Sequence, residues 1–158
     1  DIEANETMVR FTSGDITFVC KKVAGQFPNY NMVIPKNNPY KVVVDKRELA
    51  NVVKRVALFA SESSNMIVLK KEGMFLDVAA QDIDFSRAAN DQVIITDSTC
   101  PEDHRIAFKA SSLLDSLAPI PSDTICLHLG DPSRAGVITA NESSPRALTL
   151  LMPMILEE

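Results

Sequence analysis

Two residues of this chain have the types and spacing of reaction chemistry, Cys126 and His128. They lie two apart on a segment that reads as a β-strand, so both side chains fall on one face. A Cys/His dyad or a metal site is one reading; an ordinary strand with two polar-tolerant positions is the other. Zinc takes three or four ligands in a tight geometry, and no further Cys or His is close in sequence. The acids of residues 72–103 are a second candidate, as metal ligands or a general acid/base pair. They lack the spacing and the glycine of a calcium-binding loop, and a solvated acidic surface accounts for them. The sequence has no GxGxxG, no phosphate-binding loop and no GxSxG. The residues therefore argue for no catalytic group, no metal and no cofactor.

Charge supplies a different candidate. The chain carries a formal net charge of −5, which counts against a generic nucleic-acid binder. The distribution matters more than the sum. Residues 41–55 hold Lys41, Lys46, Arg47, Lys54 and Arg55 against Asp45 and Glu48, a net +3. Residues 72–103 hold eight acids against Arg87 alone, a net −7. On a helix, Arg47, Asn51, Lys54, Arg55 and Leu58 form one stripe, with Lys46 at its end. The plain reading is a solvated helix surface. The functional reading is a phosphate-facing surface, whose long cations give salt-dependent, sequence-independent affinity. At the end of that helix, Leu58 and Phe59 form an apolar pair that reads as a partner-facing patch.

Two apolar stretches complete the set of candidates. Phe27-Pro28-Asn29-Tyr30-Asn31-Met32-Val33-Ile34-Pro35-Lys36 holds two prolines and one charge. Proline fixes φ and biases the preceding residue toward extended conformations, so this connector is stiff as well as apolar and must pack on something. Leu148-Thr149-Leu150-Leu151-Met152-Pro153-Met154-Ile155-Leu156 has the same character. As a strand it is apolar on both faces: Leu148, Leu150, Met152 and Met154 share one parity, Leu151 and Ile155 the other. A core strand buried on both sides is one reading. An adaptable groove is the other, because methionine is flexible and polarizable.

The elements that position these residues follow from periodicity. At 158 residues, 46% hydrophobic and 23% charged, the chain has an ordinary soluble globular composition and can bury a real core. No apolar run reaches the ~20 residues of a membrane-spanning helix, and no signal peptide opens it. Three cysteines without CxxC spacing read as reduced thiols of a cytosolic protein. Residues 8–22 predict a hairpin turning at Gly14-Asp15. Tyr40–Val44 is a β-branched strand. A helix follows, with Asp45 and Glu48 as a capping-box-like pair and Leu49, Val52, Val53, Val56 and Ala60 as its buried stripe. Strands are expected at about 66–71, 74–80 and 84–95. The pattern then repeats: strand 105–108, a short helix 110–118 stopped by Pro119 and Pro121, and strands at about 123–129, 135–140 and 146–154. Each half is strand, helix, three strands, which implies an α+β fold with two helices side by side on one face of a sheet layer.

Over nearly its whole length the sequence resembles the family of the bacterial DNA polymerase III β subunit, the sliding clamp. The resemblance rests on the "FPDY…VLPK"-like linker, the apolar strand ending in "MPM", and their spacing. It implies that residues 1–24 are the closing hairpin of a truncated middle domain, 25–39 an inter-domain linker and 40–158 the C-terminal clamp domain of a longer protein that starts before Asp1. It implies a ring-forming homodimer in the cytoplasm, without catalytic activity, that encircles double-stranded DNA. It also implies a hydrophobic pocket for linear motifs of polymerase, clamp loader and repair proteins. Carried over, the pocket positions are Pro28, Met32, Val33, Leu150, Leu151, Met152, Pro153 and Met154, with Gly136 a further member and one wall supplied by the missing middle domain. The DNA-facing positions are Lys46, Arg47, Asn51, Lys54 and Arg55, and the subunit interface holds Leu58 and Phe59. The second helix departs from the pattern, since Ser111, Ser112, Asp115 and Ser116 are not basic and only Lys109 could help. Met32 and Ile155 stand where many clamps carry a basic residue, and Glu157-Glu158 adds acid beside the pocket. A non-replicative interaction module of similar fold is the alternative.

Overall fold

A computed structural model describes residues 1–142 and 147–156. The chain forms two compact units, Asp1–Asn31 and the remainder from Met32. The first unit is a three-stranded antiparallel sheet of β1 (Ile2–Ala4), β2 (Met8–Ser13) and β3 (Ile16–Lys21). Its β2–β3 turn places Gly14 at φ +56°, a left-handed conformation that glycine enters without strain. Phe11 and Phe18 face each other across that hairpin, ring centroids 6.2 Å apart.

The second unit runs β4 (Tyr40–Asp45), α1 (Lys46–Ala57), β5 (Met66–Glu72), β6 (Phe75–Asp82) and β7 (Arg87–Ser98). It then repeats as β8 (Arg105–Lys109), α2 (Ala110–Leu117), β9 (Thr124–Leu129), β10 (Gly136–Ala140) and β11 (Leu148–Leu151). The repeated strand–helix–three-strand pattern is therefore present. Its strands form one antiparallel eight-stranded sheet, ordered β11-β10-β9-β4-β7-β6-β5-β8. The two halves are interlocked. β4 pairs with β7 of its own half on one side and with β9 of the other half on the other, and β8 pairs with β5. The outer strands nearly meet again, because the Met154 N–H donates to the Ala107 carbonyl at 2.8 Å.

Both helices pack against the strands of their own half and against each other. Leu49, Val52, Val53 and Val56 of α1 and Leu113 and Leu117 of α2 sit in one core cluster with Val42, Ile67, Ile106 and Ile125. The helix starts are built differently. Asp45 accepts from the Glu48 N–H at 2.7 Å, as the sequence implies. The reciprocal half of the capping box, from Glu48 back to the Asp45 N–H, does not form among the described residues. α2 has no side-chain cap of its own. Instead Asn65, from the turn before β5, takes the Ala110 N–H on its carbonyl and the Ser111 N–H on Oδ1, at 2.8 and 3.1 Å.

Two strands differ from the sequence expectation. β7 starts later and ends later, because a turn with Ser86 at φ +51° occupies residues 83–86 and an extra residue is accommodated beyond Ile95. Thr96 there donates to the Val43 carbonyl at 3.2 Å. β11 stops at Leu151 rather than 154, since Pro153 has no N–H and restricts Met152 before it. Arg146, at the start of that expected strand, and the acidic tail Glu157-Glu158 lie outside the described residues.

Replacing Asp45 with Ala is expected to lower unfolding stability by about 1 kcal/mol, with the denaturant dependence unchanged. Urea titration of the two chains checks this; equal midpoints would show that the cap contributes nothing.

Candidate functional site

The α1 surface follows from its cap. With the helix pinned at Asp45, the stripe Arg47, Asn51, Lys54, Arg55 and Leu58 is exposed opposite the buried valines. Lys46 does not share that open face. It is half-buried, and its Nζ donates to the Ile120 carbonyl at 2.7 Å. Arg55 is exposed but engaged: its Nε and Nη2 both donate to Asp91 Oδ2, at 2.9 and 2.6 Å. Arg47 and Lys54 are the cations of the stripe with no ion-pair partner among the described residues. On α2, Ser116 is buried and donates to the Ser112 carbonyl at 2.7 Å, which removes it from any surface role. Lys109 is exposed at the start of that helix.

Leu58 is 75% exposed and Phe59 40%, just beyond α1. A neighbouring feature escaped the sequence. Residues 87–94 of β7 pair with β6 on one side, and β4 joins the other side only from Ile95 onward. That stretch therefore presents an edge with no neighbouring strand among the described residues, where the Gln92 N–H meets Asp91 Oδ1. Only strand order reveals it.

The apolar candidates fall into groups. Gly136 registers against Leu151, and Val137 against Leu150, on adjacent strands. Leu151 is 5% exposed and belongs to the core, while Leu150 is half-buried. A Cβ on Gly136 would lie 3.3 Å from Phe108 Cζ, and the space beneath Gly136 and Leu151 measures about 10 Å³. No side chain enters there, so Gly136 and Leu151 form a closed floor rather than an opening. Beyond Leu151 the backbone turns outward: Met152 is 61% exposed, and Pro153 and Met154 are half-buried. An open groove of about 590 Å³ continues past Met154, lined by His104, Arg105, Asp131, Ser133, Ile155 and Leu156. Met32 and Val33 are exposed residues of the second unit, and Pro28 belongs to the first.

Cys126 and His128 do share a strand face, with Sγ 3.9 Å from Nδ1. The electrostatics oppose nucleophilic chemistry. Burial pushes the Cys126 thiol up to about 11 and holds His128 below its ordinary value, with Lys41 adding to the latter. A reactive cysteine needs the opposite shift. His128 is instead tied into the sheet, with Nε2 3.1 Å from Thr139 Oγ1. No group of three or more His, Cys, Asp or Glu able to hold a metal occurs among the described residues. The acids of 72–103 are mostly engaged. Glu72 and Asp103 meet Lys70, Asp82 meets Arg87, Asp91 meets Arg55, Asp97 meets Lys41 and Glu102 meets Lys71.

The family described as DNA polymerase III beta subunit, C-terminal domain, matches residues 31–155. The β sliding clamp of Synechocystis sp. is 28% identical over 139 residues, which are 85% of this chain and 34% of that protein. The β sliding clamp of Pseudomonas aeruginosa is 28% identical over 148 residues, 94% of this chain and 39% of that protein. A crystal structure of a DnaN sliding clamp from Bartonella birtlesii bound to griselimycin aligns with a TM-score of 0.88 at 32% identity, covering 98% of this chain and 41% of that one. The DNA polymerase III β subunit of Thermotoga maritima aligns at 0.84 and 27%, covering 99% and 41%. The chain thus spans roughly two fifths or less of the relatives it matches.

The thiol assignments predict a reactivity order. In the native chain a thiol reagent at mildly alkaline pH is expected to modify half-buried Cys20 first. Cys100 and Cys126, both buried with thiols pushed up to about 11, are expected to react only as the fold opens. Rapid native modification of Cys126, read by mass spectrometry, would contradict the structural role given to it.

Proposed function

The chain belongs to the DNA polymerase III β-subunit family, in its C-terminal domain, and from that premise we propose that it is one segment of a replicative processivity clamp. Residues 1–24 close a middle domain, 25–39 link it onward, and 40–158 are the last clamp domain. The intact protein, a homodimeric ring in the cytoplasm, encircles duplex DNA and tethers the polymerase. Topology rather than affinity then gives processivity, and no bond is made or broken by this subunit.

The observation that carries this reading is the α1 face. In a chain of net charge −5, the helix presents Arg47, Lys54 and Asn51 to solvent with no acid on the same stripe. Such a face suits the phosphate backbone and reads no bases. Ring closure is assigned to Leu58, Phe59 and the open edge of β7. An added strand from a neighbouring subunit would pair with the open edge of residues 87–94, and the two apolar side chains would be covered beside it.

Recruitment is assigned to Pro28, Met32, Val33, Gly136, Leu150, Leu151, Met152, Pro153 and Met154. Met152 and Met154 provide the adaptable part, on a backbone that Pro153 keeps out of the sheet. Short linear motifs of polymerase, clamp loader and repair proteins are the ligands. Affinity on the order of micromolar corresponds to ~8 kcal/mol.

A fluorescence-anisotropy titration of a labelled polymerase-tail peptide tests the pocket. Saturable binding is expected, weakened about tenfold or more, ~1.4 kcal/mol, by Met152→Ala and by Leu150→Ala. Affinity unchanged by both substitutions, in the chain and in the full-length protein, would overturn the pocket assignment. It would favour a non-replicative interaction module.

A further inference from the structure

The α1 face has fewer working cations than its sequence carries, and one of the missing charges is withheld by a single carboxylate. Arg55 reaches from the last turn of α1 to β7, where two of its nitrogens meet the same oxygen of Asp91. The other Asp91 oxygen, Oδ1, accepts from the Gln92 N–H at 2.9 Å. Both oxygens are thus held, and the guanidinium is engaged by the strand while the Arg55 side chain stays 60% exposed. Asp91 is ionised throughout the neutral range. The Arg55 hydrogen bond, then the Gln92 N–H, hold its carboxyl below the usual carboxylate range.

An exposed ion pair of this kind adds little to stability, about 0–1 kcal/mol. Its effect on the helix surface is larger. Each cation that neutralises a duplex phosphate adds about 0.9 to the slope of log affinity against log salt. With Arg55 engaged by Asp91 and Lys46 bound to the Ile120 carbonyl, Arg47 and Lys54 are the two of the four cations with no partner among the described residues. Asp91 also sets a negative charge beside the helix end.

We propose that Asp91 is a positioning residue that restrains the phosphate affinity of α1 by holding Arg55 against β7. The inference rests on α1 being the DNA-facing helix. On that reading topology already retains the duplex, so retention does not need every cation of the stripe to meet the backbone. The partner chemistry is the sugar–phosphate backbone of a duplex, without base preference.

The test is the salt dependence of binding to a short labelled linear duplex of arbitrary sequence, measured with the chain and its variants. Asp91→Asn keeps the shape and removes the charge. It is expected to tighten binding several-fold at low salt and to steepen the slope by about 0.9. Arg55→Ala alone is expected to change little, and Asp91→Asn with Arg55→Ala to lose the gain. Asp91→Ser guards against a local packing effect of the amide and is expected to behave as Asp91→Asn does. An Asp91→Asn chain that binds no tighter than wild type, or a gain that survives loss of Arg55, would overturn the restraint. The parent reading is tested separately by Arg47→Ala with Lys54→Ala. If that pair weakens binding while Asp91→Asn has no effect, only the restraint fails. If neither has any effect, or no variant binds at low salt, the DNA-facing helix fails with it.

Discussion

The pairing of each half's first strand with the other half is the constraint on which the rest of the larger unit depends. β4 lies between β7 of its own half and β9 of the other, and β8 is held by β5, so the two halves share one sheet. Each of these first strands runs without a loop into a helix: Asp45 ends β4 and caps α1, and Lys109 ends β8 at the start of α2. The direction of each helix is therefore set by a strand that is paired with the opposite half, and in β4 with its own half too. The Lys46 N–H on the Asp123 carbonyl, 2.7 Å, fastens the same junction to the segment entering β9. The cationic stripe of α1 inherits its orientation from this arrangement, as does the side-by-side packing of the two helices.

The pattern repeats, but the halves are not equivalent where it closes. In the first half β7 runs past its bulge to pair with β4 over Val42–Val44. In the second, the equivalent continuation from β11 toward β8 is reduced to the single Met154–Ala107 bridge. Pro153 is the physical reason, having no N–H to give a ladder. The consequence is a backbone that leaves the sheet between Leu151 and Met154 and exposes Met152. A strand too apolar for one solvated face thus becomes a buried floor followed by an open rim.

Local order was legible in the residues. The Asp45 cap, the stripe Leu49, Val52, Val53 and Val56, and the end of α2 before Pro119 all follow from residues within a turn or two of chain. What the residues left open depends on distant partners. Lys46 meets Ile120, 74 positions away, and Arg55 meets Asp91, 36 positions away. A helix wheel shows both as members of one cationic face; only the fold shows them occupied. The same holds for the edge of β7, since the sequence specifies a strand but not what lies beside it. The Asn65 cap of α2 was equally hidden, because an asparagine in the left-handed region 45 residues before a helix carries no local sign of that role.

Charge counting along the chain shows the same limit in a more general form. Residues 72–103 read as a block of net charge −7, which would oppose DNA anywhere near it. In the fold most of those carboxylates face a Lys or Arg, several drawn from outside the block, such as Lys41, Arg55, Lys70 and Lys71. The acidic block and the basic segment are therefore not two independent surfaces. Cations from the basic side are consumed in holding acids, and the potential at α1 is set by the few that remain unpaired. Fields beyond ~8 Å are screened at physiological salt, so a duplex beside α1 would sense Arg47, Lys54 and the occupied Arg55 far more than the net charge of the chain. An acidic protein can in this way offer a phosphate-facing helix. The strength of that face depends on the geometry of individual pairs, not on composition.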